Sequence, residues 1–161
     1  MMGAGKTTVG HALSALTGWP CLDNDELVRR ATGHPTPDVL RSDGEPTLRR
    51  VELDALAVAL DAVPPVIAGV AAGVVTDPDA RRRMRDGGFV VYLRVPLEEL
   101  ARRVSTGGGR PWLTDDPIRA LRRLAIGRDP LYREVADLVL EAGEQSPVEL
   151  ARRIMDAVQR R

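Results

Sequence analysis

The chain has 161 residues, of which 43% are hydrophobic and 29% are charged. This composition is typical of one globular domain, and it excludes a disordered tail, a fibrous repeat and a multidomain machine. The 23 basic and 23 acidic residues give a formal net charge of zero, so charge gives no reason to expect nucleic acid or an anionic membrane as a partner. The single cysteine, Cys21, excludes an internal disulfide framework and a multi-cysteine metal cluster. With no apolar run of membrane-spanning length and no signal peptide, we expect a cytoplasmic protein.

Predicted helices alternate along the chain with short apolar segments that are typical of buried strands. Helices are predicted over Lys6–Leu16, Glu26–Ala31, Leu48–Leu60, Asp77–Met84, Pro96–Val104, Pro117–Ile126, Leu131–Ala136 and Pro147–Val158. Strands are predicted over Trp19–Leu22, Val66–Val70, Phe89–Leu93 and Leu138–Leu140. The segment from Gly33 to Leu48 is interpreted as a proline-bearing turn, and Ser105–Trp112 as a glycine-rich loop. This order predicts a single α/β domain over residues 1–161 with a parallel sheet.

The first residues form most of a phosphate-binding loop. The segment Gly3–Thr8 reads Gly-Ala-Gly-Lys-Thr-Thr and opens the first helix. Glycines let backbone N–H groups curl around phosphate oxygens, and the helix N-terminus adds positive charge. Lys6, the only lysine of the chain, is expected to reach the β- and γ-phosphates, and the Thr7 hydroxyl to bind Mg²⁺.

This motif is incomplete in the sequence. The pattern requires a first glycine five residues before Gly5, a position that the given sequence does not reach, and a strand that leads into the loop, which is missing as well. We expect one of two explanations. Either the true start of the protein lies upstream, with Met1 or Met2 an internal methionine, or the chain is a truncated paralogue with impaired phosphate binding.

A second group of polar residues, Asp23-Asn24-Asp25, follows a short predicted strand. Carboxylates at the carboxyl end of a parallel strand point into the crevice where open α/β sheets bind ligands. One carboxylate can hold Mg²⁺ and the other can accept a proton from an attacking hydroxyl. The alternative is structural, because Asp23 could simply cap the helix that follows.

In these motifs the sequence resembles the shikimate kinase family. The resemblance extends from the first residues to the last helix, and it rests on Gly3–Gly10, Leu22–Asp25, Gly44-Glu45, Leu48–Glu52, Arg110-Pro111 and Pro130–Arg133. It implies a P-loop three-layer sandwich with a five-stranded parallel sheet, of which the first, central strand is missing here. It also implies a mobile lid at about residues 105–116. The implied activity is ATP-dependent, Mg²⁺-dependent phosphorylation of the 3-hydroxyl of shikimate by a monomer.

The resemblance also implies roles for individual residues. Catalytic roles fall to Lys6, Asp25 and Arg110. Nucleotide-binding roles fall to Gly3, Ala4, Gly5, Lys6, Thr7, Thr8, Arg103 and Pro147. Substrate-binding roles fall to Asp25, Arg49, Ala71, Ala72, Gly73 and Arg133, with Arg49 and Arg133 holding the carboxylate. Thr7 and Asp23 are the implied metal ligands.

The sequence departs from the family pattern on the substrate side. Ala71 and Ala72 stand where the family has glycines, and Leu40 and Leu48 stand where it has phenylalanines. A Cβ at Ala72 could crowd the substrate or restrict the backbone. Two alternatives to shikimate phosphorylation therefore stay open: a related kinase acting on another hydroxylated acid or a cyclitol, and a non-catalytic nucleotide-binding paralogue.

Overall fold

The structure, a computed structural model, describes residues 1–106 and 116–161. Within these ranges the helices are α1 (Lys6–Thr17), α2 (Asn24–Thr32), α3 (Thr36–Leu60), α4 (Pro78–Gly87), α5 (Leu97–Thr106), α6 (Pro117–Val135) and α7 (Pro147–Val158). The strands are β1 (Cys21–Asp23), β2 (Ile67–Gly69), β3 (Val91–Arg94) and β4 (Leu138–Glu141). A short 3-10 helix covers Val74–Thr76. The predicted alternation of strands and helices is confirmed.

All described strand pairs are parallel. Strand β1 pairs with β2, with Cys21 opposite Ile67, and β3 pairs with β4, with Val91 opposite Leu138. Among the described residues the two pairs are not hydrogen-bonded to each other. Parallel pairing joined by helices is the defining feature of an α/β domain, so the predicted fold class is confirmed.

The core that supports this arrangement lies around α1. Val9 and Leu13 of α1 belong to one large buried cluster with Leu140 of β4 and with Leu150 and Ile154 of α7. A separate, smaller cluster joins α2 to α3 through Val28, Val39, Leu48 and Ala55. The first cluster therefore fixes the start of α1, and the second fixes the two helices that follow β1.

Helix α3 is longer than the sequence predicts. The predicted turn before Leu48 is wrong, because the helix begins at Thr36 and continues past Gly44. Gly44 has a left-handed backbone (φ 79°) and separates two helical segments. Pro37 and Pro46 each lie in the first turn of a segment, where a missing N–H costs no helical hydrogen bond.

Helix α6 is continuous where the sequence predicts two helices. Pro130 lies inside it, but it removes only one backbone hydrogen bond. The core holds the helix on both sides of this position, because Leu121 and Val135 are buried. Nowhere in residues 1–106 and 116–161 is a helix both long and apolar enough to cross a membrane.

Candidate active site

A cavity of about 1030 Å³ opens where α1 begins and where β1 and β2 end. The carboxyl edge of a parallel sheet is where α/β proteins bind ligands. The cavity is lined by polar and small residues from several elements, among them Gly3–Thr8, Asp23–Asp25, Thr36, Arg49, Glu52, Gly69–Gly73, Arg103, Arg128 and Pro147. Most of the predicted site residues therefore meet in one place.

The loop before α1 has the backbone of an anion site. Gly3 and Gly5 have left-handed conformations (φ 73° and 86°), which glycine adopts without strain. Gly5 caps α1 without any side-chain hydrogen bond to the first-turn N–H groups. Those N–H groups, together with the positive end of the helix, are suited to phosphate oxygens.

Positive charge gathers beside this loop. The Lys6 ammonium donates a hydrogen bond to the Met1 carbonyl (3.3 Å). Burial, together with the charges of Lys6 and Arg128, lowers the pKa of the Met1 amino group to about 5. Burial is the main cause of this shift, and the positive charges of Lys6 and Arg128 add to it.

Asp23 joins β1, α1 and α2. Its Oδ2 accepts a hydrogen bond from the Thr7 hydroxyl (2.7 Å), and its Oδ1 accepts one from the Asp25 backbone N–H (2.9 Å). The second bond caps α2, so the structural interpretation of this residue is correct. The first bond brings a hydroxyl and a carboxylate together at the wall of the cavity, so the cap does not exclude the predicted role.

These oxygens fit a magnesium ion. Mg²⁺ is usually held by one or two protein oxygens together with substrate phosphates and water. The described residues contain no group of three or more acidic, histidine or cysteine side chains that could hold a metal alone. Thr7 and Asp23 at the phosphate-binding loop are thus suited to an ion that arrives with a nucleotide.

The Asp25 carboxylate is held at the cavity by two neighbours. Its Oδ1 accepts hydrogen bonds from the Thr36 hydroxyl (3.0 Å) and from the Asn24 side-chain amide (3.4 Å). Asn24 is buried and Thr36 opens α3. The carboxylate is therefore oriented by both helices that follow β1, as a group that accepts a proton requires.

Arg49 lies against the segment that follows β2. Its guanidinium forms an ion pair with the buried Glu52 and a longer one with Glu45 (3.5 Å). Burial raises the pKa of Glu52, while the neighbouring charge of Arg49 acts to lower it. A Cβ added at Gly73 would overlap the Arg49 guanidinium. Gly73 has an ordinary φ of −87°, so glycine is needed here for close approach and not for backbone conformation.

The structure does not bring Arg133 to the cavity. Its Nε donates to Asp129 Oδ2 (2.7 Å), its side chain is about half exposed, and it is not among the cavity-lining residues. Arg128 lines the cavity instead, as does Leu124 one turn earlier. Positions 128 and 133 of one helix lie about 140° apart around its axis, so both cannot face the same cavity.

The sequence contains a signal for Arg128 that the prediction missed. Leu121, Leu124, Arg128 and Tyr132 follow one another at helical spacing, and Leu121 is fully buried. Because the sequence predicts two helices in place of α6, the helical period is interrupted. The sequence prediction therefore does not indicate that Arg128, and not Arg133, lies on the same face as the buried Leu121.

Arg103 and Pro147 lie at the other end of the cavity. Arg103 donates to the Gly3 carbonyl (3.4 Å), the Gly143 carbonyl (3.0 Å) and Glu99 (2.7 Å). It thus connects the phosphate-binding loop to the segment between β4 and α7. Arg110 and nearly all of the predicted lid (105–116) lie outside the described residues, so their roles stay predictions.

The described loop and cavity are suited to a ligand that carries phosphate groups. The family model for shikimate kinase matches residues 2–159. The chain belongs to the shikimate kinase family. The predicted resemblance is confirmed over nearly the whole chain.

Named relatives within the shikimate kinase family agree with this assignment. Shikimate kinase from Nitrosospira multiformis is 40% identical over 152 residues, which cover 94% of this chain and 77% of the relative. Shikimate kinase from Psychrobacter is 37% identical over 158 residues, covering 98% and 87% of the two chains. The structure of shikimate kinase from Acinetobacter baumannii in complex with shikimate superposes with a TM-score of 0.91 at 36% identity, covering 99% and 89% of the two chains.

The residues predicted to depart from the family pattern lie on two elements of the cavity wall. Leu40 and Leu48 belong to α3, which also contributes the charged side chains of Glu45, Arg49 and Glu52. Ala71 and Ala72 follow β2, next to Gly73.

Proposed function

We propose that this protein transfers the γ-phosphoryl group of ATP to the 3-hydroxyl of shikimate. The observation that carries the proposal is the shared cavity, in which a phosphate-binding loop, the oriented Asp25 carboxylate and the guanidiniums of Arg49 and Arg128 meet. Membership of the shikimate kinase family and the shikimate-bound relative from Acinetobacter baumannii support the choice of substrate. The cell compartment is the cytoplasm, and the product enters aromatic amino acid biosynthesis.

The nucleotide occupies the end of the cavity formed by α1. First-turn N–H groups of the helix and the Lys6 ammonium bind the phosphates, because both present positive charge at one spot. Arg103 and Pro147 lie beside the loop and flank the base. Thr7 and Asp23 hold Mg²⁺ through their oxygens. When bound, Mg²⁺ neutralises charge on the phosphate oxygens.

The acid occupies the end formed by α3 and α6. Arg49 and Arg128 bind the carboxylate, since a guanidinium offers two parallel N–H donors and keeps its charge. Leu40, Leu48 and Ala72 line this end. Leu40 and Leu48 stand where the family has the larger phenylalanine, and Ala72 stands where it has the smaller glycine. We expect these walls to raise the KM for shikimate without changing the class of substrate.

Asp25 acts on the hydroxyl that reacts. The hydroxyl oxygen forms a bond to the γ-phosphorus while the bond from that phosphorus to the bridging oxygen breaks, and ADP leaves. The hydroxyl proton passes to the Asp25 carboxylate, which Thr36 and Asn24 hold in place. Catalysis here consists of positioning and charge stabilisation, as in other phosphoryl transfers.

The test is ATP consumption with shikimate, quinate, gluconate and inositol as acceptors. Shikimate should be phosphorylated, whereas inositol should not. Two guanidiniums left facing a neutral ligand would disfavour it by about 2–5 kcal/mol. Turnover of inositol without turnover of shikimate would overturn the assignment of the carboxylate site.

A further inference from the structure

A tyrosine outside the cavity reaches one of its walls. The Tyr132 hydroxyl donates a hydrogen bond to the Ala72 carbonyl (2.6 Å). Ala72 lines the cavity, whereas Tyr132 does not. Tyr132 lies one helical turn after Arg128 on α6, so its hydroxyl joins α6 to the segment that follows β2.

The same hydroxyl lies near both guanidiniums of the acid site. Burial raises the pKa of Tyr132, and the charges of Arg128 and Arg49 oppose this rise, Arg128 also through a hydrogen bond. Arg49 in turn touches Gly73, the residue after Ala72. A displacement of the Ala72 carbonyl would therefore move the surface on which the Arg49 guanidinium rests.

The ring of Tyr132 is held independently of its hydroxyl. It stacks on the ring of Tyr92, with centroids 4.8 Å apart and planes inclined by 28°. The Tyr92 hydroxyl donates to Asp129 Oδ1 (2.8 Å), while Asp129 Oδ2 accepts from Arg133 Nε, and Asp129 does not line the cavity. One aromatic pair thus carries two hydroxyls with separate partners, and only one of these partners belongs to the site.

We propose that Tyr132 is a positioning residue for substrate, which fixes the segment Ala71–Gly73 at the distance from α6 that lets Arg49 and Arg128 bind one carboxylate. The inference rests on the proposed function, because it takes the two guanidiniums as the acid site. Tyr132 acts through the backbone of Ala72 and through Arg49, and it does not touch the reacting atoms.

Two matched substitutions test the inference. Tyr132→Phe and Tyr92→Phe each delete one hydroxyl and keep the stacked rings. Tyr132→Phe should raise the KM for shikimate about tenfold or more and leave the KM for ATP within about twofold. Tyr92→Phe should leave both KM values within about twofold. Equal effects of the two substitutions, or a parallel rise in the KM for ATP, would overturn the inference, since either would indicate a general structural role.

A second measurement does not depend on the folding of Tyr132→Phe. The chain has two tyrosines, so Tyr92→Phe leaves Tyr132 as the only one. Incorporation of 3-fluorotyrosine into that variant gives a single ¹⁹F signal at Tyr132. Shikimate should shift this signal, and ADP should shift it less. A signal that does not respond to shikimate, in a protein that phosphorylates shikimate, would overturn the inference about Tyr132 but not the proposed function. A wild-type protein that does not phosphorylate shikimate would overturn the proposed function and, with it, this inference.

Discussion

The contact between Gly73 and Arg49 gives the sharpest single test of the acid site. Gly73→Ala adds one methyl group, and the φ of −87° is ordinary for alanine, so the backbone carries no strain. The new Cβ would overlap the Arg49 guanidinium and displace it. Gly73 itself lines the cavity, so the substitution tests the part of the wall where Gly73 and Arg49 meet.

The magnitude follows from what Arg49 contacts. A hydrogen bond to a charged group contributes about 1.5–3 kcal/mol, which corresponds to a rise in the KM for shikimate of roughly tenfold to a hundredfold. The ion pair between Arg49 and the buried Glu52 weakens as well. If this costs about 1 kcal/mol, Tm falls by about 2–4 °C for a domain of this size.

Gly127→Ala is the control for Gly73→Ala. A Cβ at Gly127 meets no atom within 4 Å, and the position lies inside α6, where alanine is favoured over glycine. This variant should keep the KM for shikimate and raise Tm slightly. Steady-state kinetics with each substrate and thermal unfolding measure both variants. An unchanged KM for shikimate in Gly73→Ala would refute the placement of Arg49 at the substrate.

Three further predictions concern single side chains. Asp25→Asn should lower kcat by about 10²–10⁴-fold and leave the Kd for ATP nearly unchanged, since the hydroxyl of the substrate loses its proton acceptor. A higher Kd for ATP with normal turnover would instead assign Asp25 to the metal. Arg128→Ala should raise the KM for shikimate far more than Arg133→Ala does, because of these two arginines only Arg128 lines the cavity. The reverse order in steady-state kinetics would restore Arg133 as the residue that binds the carboxylate. Burial raises the pKa of Glu52 above its ordinary value of 4.5, so its contribution to stability is complete below about pH 4.5 and is lost as the pH rises through the raised pKa. The difference in the free energy of unfolding between Glu52→Gln and wild type, measured with urea from pH 4 to 7, should shift in favour of Glu52→Gln as the pH rises, and parallel profiles would contradict this.

The sequence predicts those parts of the site whose chemistry is local. The glycines around Lys6 and the triplet Asp23–Asp25 each lie within a few residues, so spacing alone indicates their joint role. The strands are also predictable, because runs such as Phe89–Leu93 are apolar on both faces and are bounded by glycine or proline. Boundaries shift by a residue or two, as β3 does in beginning at Val91.

The sequence mispredicts the extent of two helices, α3 and α6, because each contains a residue that usually ends a helix. Pro46 and Gly44 predict a turn when considered alone, yet one lies in a helical first turn and the other at the junction between segments. Pro130 interrupts the predicted helix but not the observed one, because tertiary packing holds α6 on both sides. The assignment of Arg133 in place of Arg128 is a consequence, since the face of a helix is defined only once its extent is known.

The contacts that hold the two ends of the cavity differ, and this difference bears on the altered residues of the acid end. The start of α1 is fixed by the large core through Val9 and Leu13, and that core involves none of the altered positions. The acid end is fixed by α2 and α3, whose small cluster includes Leu48 and packs against Leu40, and by the polar contact from Tyr132 to Ala72. Ala71 packs against a third cluster, formed by Leu56, Val74, Ala80 and Met84, and not against the core that holds α1. We therefore expect substitutions at Leu40, Leu48 and Ala72 to change the KM for the acid more than the KM for ATP, which steady-state kinetics with each substrate would measure.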